Sequence, residues 1–193
     1  MIIISRLFSR FTVFNLVLIS VMAALGVAIK PVVVPLVHLI TGPLLIPGGS
    51  VAGGIYMLWI VLGVSLIRKT GTGTLIAGVQ AIMVIASGVY GSHGIMSLIT
   101  YLLPGLAVDA AALIFAGCLD WKLKMFFCGM AANLTGTLLS NLLFFRLPTI
   151  PLVLSVSAGA LSGGLGGLVA YAIRGRLIRL GIFSEGKQKT SKE

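Results

Sequence analysis

Hydrophobic residues form long continuous stretches in this sequence, and charged residues interrupt them only at wide intervals. A helix rises about 1.5 Å per residue, so about 20 residues cross the roughly 30 Å hydrocarbon core of a bilayer. The apolar positions do not alternate with polar ones, as they do in the strands of an outer-membrane barrel. The pattern therefore predicts membrane-spanning helices within the uncharged stretches, which cover 11–29, 31–67, 70–108, 125–145 and 147–173.

The lengths of these stretches predict six spans. The first and the last two stretches hold one span each, and the stretch 31–67 holds one in its second half. Between residues 70 and 119 only Asp109 is charged, which leaves room for two spans joined at the turn Gly91-Ser92-His93-Gly94. The predicted spans lie at about 11–29, 50–67, 74–91, 94–117, 124–145 and 152–173.

The segment 31–49 is apolar, but we do not expect it to be a regular helix. It contains Pro31, Pro35, Pro43 and Pro47. Proline removes a backbone donor and disfavours the helical conformation of the residue before it. The segment is therefore predicted to be a Pro-rich outer loop between helices 1 and 2, as a lid or a re-entrant helix.

The composition agrees with a membrane protein. Of the residues, 58% are hydrophobic and 9% are charged, and the mean hydropathy is +1.14. A typical soluble domain carries roughly 25% charged residues, so this composition excludes a soluble globular enzyme. The predicted fold class is an all-α integral membrane protein, a six-transmembrane-helix bundle.

The basic residues predict the orientation of the chain. It has 14 Lys and Arg against 4 Asp and Glu, a formal charge of +10. Six spans with an inner N-terminus leave only Lys30 and Arg146 outside, in agreement with the positive-inside rule. Because the basic residues lie between apolar stretches, we expect them to meet anionic lipid headgroups and not nucleic acid. We predict one domain over 1–173 in the cytoplasmic (cell) membrane, a basic and polar tail over 174–193, and both termini in the cytoplasm.

Polar and aromatic side chains recur within the predicted spans, mostly toward the outer face. In span 5, Gly129, Asn133, Thr137 and Asn141 follow at four-residue steps and stay on one helix face. A cavity lined by aromatic and amide groups suits a flat, neutral or weakly charged heterocycle. The alternative is that the tyrosines and Trp59 are anchors at the membrane interface. The candidate substrate-binding residues are Tyr56, Trp59, Ser87, Tyr90, His93, Tyr101, Asn133 and Asn141.

Asp109 is the only acid within a predicted span. A carboxylate in the membrane is expected to be protonated, paired or exposed to water. One interpretation has Asp109 bind a cationic substrate or a proton. The other gives it a structural role, with a hydrogen bond to Gln80 or Thr100, and its depth in the inner half favours this second interpretation.

Small residues at four-residue spacing mark close approach between membrane helices. Span 6 carries a tandem GxxxG pattern at Gly159, Gly163 and Gly167. Such a stripe packs either against other helices of the same chain or against a partner membrane protein. Span 1 carries a similar stripe, at Ser20, Ala24 and Ala28.

Motifs for catalysis do not occur in the sequence. There is no P-loop, no HExxH, no GxSxG and no GxGxxG pattern, and only Asp109 and Asp120 are acids before the tail. His38 and His93 both fall on the outer side, but no third metal ligand is evident. We therefore expect no enzyme activity, no cofactor and no metal site.

Over about residues 11–173 the chain resembles the substrate-binding (S) components of energy-coupling factor (ECF) vitamin transporters. The resemblance rests on six spans with both ends inside, a long outer loop after span 1, and Val21-Met22-Ala23-Ala24-Leu25-Gly26-Val27-Ala28, which is similar to the family's alanine-rich first helix. The segments Ile55-Tyr56-Met57-Leu58-Trp59 and Pro104-Gly105-Leu106-Ala107-Val108-Asp109 look most like the hydroxymethylpyrimidine/thiamine-type branch. That branch favours a glutamate in span 3, where this chain has Gln80.

The resemblance implies a protein that captures a small heterocyclic vitamin or vitamin precursor from outside. It implies docking through Ser20, Ala24 and Ala28 onto a transmembrane coupling (T) protein, which two cytosolic ATPase subunits drive. The nickel and cobalt members begin with Met-His, whereas this chain begins Met1-Ile2-Ile3, so we expect an organic substrate.

Two other functions remain possible from the sequence. One is a stand-alone facilitator or proton-linked carrier that uses Asp109. The other is a non-transport scaffold subunit that packs through the glycines of span 6.

Overall fold

The computed structural model describes residues 11–87 and 96–183, and over these residues the chain is almost entirely helical. The helices of the described ranges are α1 (Val13–Thr41), α2 (Gly48–Ile67), α3 (Thr72–Ser87), α4 (Met96–Ile114), α5 (Trp121–Ser140) and α6 (Thr149–Arg179). A 3-10 turn, Gly42–Leu44, follows α1, and a π-helical segment, Asn141–Phe145, follows α5.

Within residues 11–87 and 96–183, four segments are long and apolar enough to cross a membrane. The helices α3 and α4 are also apolar but shorter over their described residues, and they border residues 88–95. The predicted turn at Gly91–Gly94 lies outside the described residues. The all-helical membrane fold is therefore confirmed, while the six-span topology stays a prediction. The four candidate spans are Val13–Leu44, Gly48–Ile67, Trp121–Phe145 and Thr149–Arg179.

The prediction of a Pro-rich outer loop over 31–49 is wrong for most of that segment. Helix α1 continues through Pro31 and Pro35 and ends at Thr41. Both prolines are exposed and four residues apart, so the two positions that lack an N–H group fall on one face of the helix. Membrane helices also tolerate proline better than soluble helices do. Only Pro43 and Pro47 lie where the helix has ended.

Helix α2 lies at the centre of the bundle. Of an 18-residue apolar stretch of α2, 61% is buried, against 22% for α1, 28% for α5 and 33% for α6. Its side chains Ile60, Val61 and Leu62 are almost completely buried in the hydrophobic core. The first turn of α2 lies beside residues of α1, α4 and α5.

The glycine stripe of α6 packs inside the protein. A Cβ atom on Gly163 would collide with the carbonyl oxygen of Gly129 on α5, and one on Gly167 would collide with the carbonyl oxygen of Met125. A Cβ on Gly159 would come within 2.8 Å of the Thr137 hydroxyl oxygen. The stripe therefore allows α5 and α6 to approach with their backbones in contact, as the internal-packing interpretation predicts.

Candidate functional site

A cavity of about 360 Å³ lies between α1, α2, α4 and α5, at the end of the bundle where α1 ends and α2 begins. The charge pattern predicts that this end faces outward. The size is that of a pocket for a small organic molecule. The cavity is lined by Lys30, Val34, His38, Pro47, Gly48, Gly49, Ser50, Tyr56, Met57, Thr100, Tyr101, Gly136, Thr137, Ser140, Phe144 and Phe145.

Lys30 and two tyrosines form the most polar part of the cavity wall. The Lys30 ammonium donates a hydrogen bond to the Tyr101 hydroxyl at 2.8 Å. It lies 4.1 Å from the centre of the Tyr101 ring and 4.6 Å from the centre of the Tyr56 ring. The Tyr56 hydroxyl donates to the backbone carbonyl of Gly49 at 2.8 Å, which ties the ring to the first turn of α2. Side chains of α1, α2 and α4 are thus joined around one positive charge.

Two of the eight candidate substrate-binding residues line this cavity. Tyr56 and Tyr101 come from α2 and α4, and the structure brings them together on either side of Lys30. Tyr90 and His93 lie outside the described residues. The other four candidates, Trp59, Ser87, Asn133 and Asn141, are not part of the described lining.

The two asparagines make structural hydrogen bonds. Asn133 is buried, and its side-chain amide donates to the carbonyls of Ser50 and Gly159, each at 2.8 Å, so it joins α2, α5 and α6. The Asn141 side-chain oxygen, Oδ1, accepts from the backbone N–H of Leu147 at 2.8 Å and closes the turn before α6. Of the four-residue pattern in span 5, Gly129, Asn133 and Thr137 are buried against α6, whereas Asn141 is only half-buried.

Trp59 and Ser87 also lie away from the cavity. Trp59 is half-buried against the hydrophobic core, and in the described part of the chain its indole N–H has no hydrogen-bond partner. Ser87 is exposed at the end of α3, where its hydroxyl donates to the Val84 carbonyl at 3.1 Å.

The sequence interpretation missed Lys30 as a site residue. It placed Lys30 at the outer end of a span that ends at residue 29, with a loop to follow. Because α1 continues for three turns beyond Lys30, this side chain is an ionisable group within a membrane helix. Such a group is expensive in lipid and usually faces a cavity or a partner, so a helical interpretation of Pro31 and Pro35 would have identified it.

Asp109 is buried and accepts three hydrogen bonds from the first turn of α3. Its carboxylate accepts from the Gly73 N–H at 3.0 Å, from the Thr74 N–H at 2.8 Å and from the Thr74 hydroxyl at 2.7 Å. The expected partners Gln80 and Thr100 are not among these donors; Gln80 lies against Gly26 of α1 instead. A helix N-terminus offers free N–H groups and a positive dipole end, which suits a carboxylate.

The candidate coupling stripe lies on the outer surface of α1. Ser20 and Ala28 are exposed and Ala24 is half-buried. The Ser20 hydroxyl donates to the Leu16 carbonyl of its own helix at 3.0 Å. A bulky residue on this face therefore meets few atoms of the protein itself.

A second, smaller cavity of about 250 Å³ lies at the opposite end, where basic side chains surround Trp121. The guanidinium carbons of Arg68 and Arg174 lie 4.9 and 4.5 Å from the Trp121 ring centre, and the Lys124 ammonium lies 5.1 Å away.

The described residues contain no group of three or more His, Cys, Asp or Glu side chains that could hold a metal ion.

Comparisons with known proteins agree with this architecture. Among solved structures, a crystal structure of an S-component of an ECF transporter is similar, with a TM-score of 0.69 and 17% sequence identity, over 89% of this chain and 88% of that one. At this identity the likeness shows the fold alone. No curated protein sequence matches.

The sequence itself matches one family model. Residues 14–139 match the family described as ABC-type cobalt transport system, permease component. Neither comparison distinguishes the hydroxymethylpyrimidine/thiamine-type branch, which stays a prediction. Because the match covers more than half of the sequence, this multi-pass membrane protein belongs to the family of permease components of ABC-type cobalt transport systems.

Proposed function

We propose that the protein is the substrate-capture (S) component of an ECF-type importer and binds a small heterocyclic vitamin or vitamin precursor in the cavity beside Lys30. The observation that carries this proposal is the cavity of about 360 Å³ with Tyr56 and Tyr101 on its wall. Aromatic rings bind flat heterocycles by stacking, and the hydroxyl and backbone groups of the lining offer hydrogen bonds. The likeness to an S-component fold supports the same function.

The proposal includes an orientation in the cell membrane. Six spans with both termini in the cytoplasm put the mouth of the cavity outside, where the substrate is captured. The basic side chains around Trp121 then lie at the cytoplasmic face, in agreement with the positive-inside rule.

The proposal also includes partners. The S component takes part in a complex with a T protein and two cytosolic ATPase subunits, which supply the energy of transport. The exposed positions Ser20 and Ala28 on α1 support a helix contact on this surface, since small side chains permit close approach.

The charge in the cavity favours an organic substrate over the metal in the family description. A lysine ammonium in a partly dehydrated wall repels a divalent cation. His38 is the one imidazole in the described lining, and stable cation sites combine several such ligands.

Retention of a small molecule by the purified protein tests the proposal. Native mass spectrometry of the wild-type protein should detect a bound metabolite. Ser140→Trp adds an indole to the cavity wall and should abolish retention. The matched control Leu138→Trp, on the exposed side of the same helix, should retain the metabolite. A wild-type protein without a bound molecule, or equal retention in the two variants, would contradict the proposal.

A further inference from the structure

The Lys30 ammonium is held at a fixed place on the cavity wall. It donates to the Tyr101 hydroxyl at 2.8 Å and lies over the rings of Tyr101 and Tyr56. Two aromatic faces and one hydroxyl keep a flexible side chain from moving away into water. The positive charge of Lys30 therefore faces any molecule that binds in the cavity.

Among the described residues, no carboxylate lies at this end of the bundle to neutralise the charge. The sequence has four acids, and none of them precedes residue 109. Asp109 accepts hydrogen bonds from the first turn of α3, and Asp120 caps the start of α5, both at the opposite end. The two glutamates, Glu185 and Glu193, follow α6 in the C-terminal tail.

A positive charge in a partly dehydrated cavity is costly unless an anion accompanies it. The two tyrosine rings reduce this cost but carry no net charge. His38, two turns further along α1, is the other ionisable nitrogen of the described lining, and it adds no negative charge. The described residues therefore offer the Lys30 ammonium no counter-ion of their own.

We infer that the substrate carries an anionic group, a carboxylate or a phosphate, which binds the Lys30 ammonium while its ring or apolar part packs against Tyr56 and Tyr101. This inference rests on the proposed function and narrows the substrate class from heterocycles in general to those with one acidic group. One lysine matches a single anionic group. Tyr101 acts as a positioning residue, because its hydroxyl holds the ammonium.

A defined mixture of small molecules tests the inference. The detergent-purified protein is incubated with equal amounts of nicotinate and biotin as carboxylates, pyridoxine phosphate as a phosphate, nicotinamide, riboflavin and pyridoxine as neutral molecules, thiamine as a cation, and Co²⁺. Native mass spectrometry then reads which member binds. We expect an anionic member to bind, and its identity distinguishes a carboxylate from a phosphate.

Variants of Lys30 test whether its ammonium causes the preference for an anionic molecule. Lys30→Gln should weaken binding of that anion by about 10- to 100-fold, because a charged hydrogen bond is lost. Lys30→Arg should keep most of the affinity. Arg146→Gln removes a positive charge at the same end but outside the described lining, and should leave binding unchanged. Thermal unfolding of each variant verifies that it is folded.

The outcomes separate the inference from the proposed function. Preferred binding of a neutral or cationic member, or equal binding of the anion by Lys30→Gln and wild type, would overturn the inference and leave substrate capture standing. Binding of none of the members, by a wild-type protein that also retains no metabolite, would overturn both.

Discussion

Asp109 and Thr74 form a two-point contact, in which one carboxylate oxygen accepts from both the backbone N–H and the hydroxyl of Thr74, at 2.8 and 2.7 Å. The other carboxylate oxygen accepts from the Gly73 N–H, so Asp109 on α4 supplies hydrogen-bond acceptors to the free N–H groups in the first turn of α3. The only acid within the apolar part of the sequence is thus part of the contact between two helices. A proton-linked carrier mechanism needs this carboxylate to exchange its partners, whereas a structural role needs it to keep them.

Asp109→Asn should therefore lower stability and leave substrate binding intact. The amide keeps one acceptor oxygen and turns an NH₂ group toward backbone donors, which costs about 1–3 kcal/mol. Thermal unfolding in detergent measures the change. Asp120→Asn is the control, since asparagine caps a helix N-terminus as well as aspartate does. Transport by the protein alone in liposomes, abolished in a fully stable Asp109→Asn variant, would favour the carrier mechanism instead.

Gly163→Ala should destabilise the bundle strongly. The new Cβ atom collides with the Gly129 carbonyl, and the two helices must separate to admit it. Overpacking of this kind costs about 1–3 kcal/mol, which a lowered unfolding temperature would show. Gly175→Ala, on the same helix with no atom near its Cβ position, should be neutral or slightly stabilising. Equal effects of the two substitutions would contradict the close packing of α5 on α6.

Asn133→Ala should lower stability by about 1–3 kcal/mol, because two hydrogen bonds that join three helices are lost. Thr135→Ala is the matched control on the same helix. Its hydroxyl donates back to the Ala131 carbonyl, so its loss should change the unfolding temperature little. A stable Asn133→Ala variant that no longer retains substrate would show instead that Asn133 contacts the substrate.

Ala28→Trp should impair assembly with the T protein without affecting substrate retention. Ala28 is exposed on α1, so the indole fits without disturbing the fold but blocks a close helix contact. Co-purification of the coupling protein from cells that express the whole complex measures the loss. Leu39→Trp, at an exposed position near the other end of α1, is the control. Unchanged co-purification of Ala28→Trp would contradict the assignment of this surface.

Charged residues in the sequence mark several of the helix ends. Helix α2 begins two residues before the predicted start and ends at Ile67 as predicted, just before Arg68 and Lys69. Asp120 caps α5 at its first turn. Such local signals do not depend on which helices are neighbours.

The prolines of α1 led to a wrong prediction because the free-energy cost of a proline within a helix depends on whether the helix lies in water or in a membrane. In water Pro31 and Pro35 would break a helix, whereas here they lie on an exposed face of a helix that continues to Thr41. The same error concealed Lys30, since its role as a charge within the bundle follows only from the continuation of α1.

The sequence could not show which of the candidate residues lie together in the structure. Tyr56 and Tyr101 lie on different helices, and helical periodicity does not say that these helices meet. The polar face of α5 was found from its four-residue spacing, but the sequence could not show that Asn133 faces α6 and not the cavity.

A high-resolution structure of the protein purified with its bound metabolite tests substrate capture most directly. We predict density for a small molecule between Tyr56 and Tyr101, with an acidic group within hydrogen-bond distance of the Lys30 ammonium. An empty cavity in a protein that retains a metabolite, or density for that metabolite at another site, would contradict it.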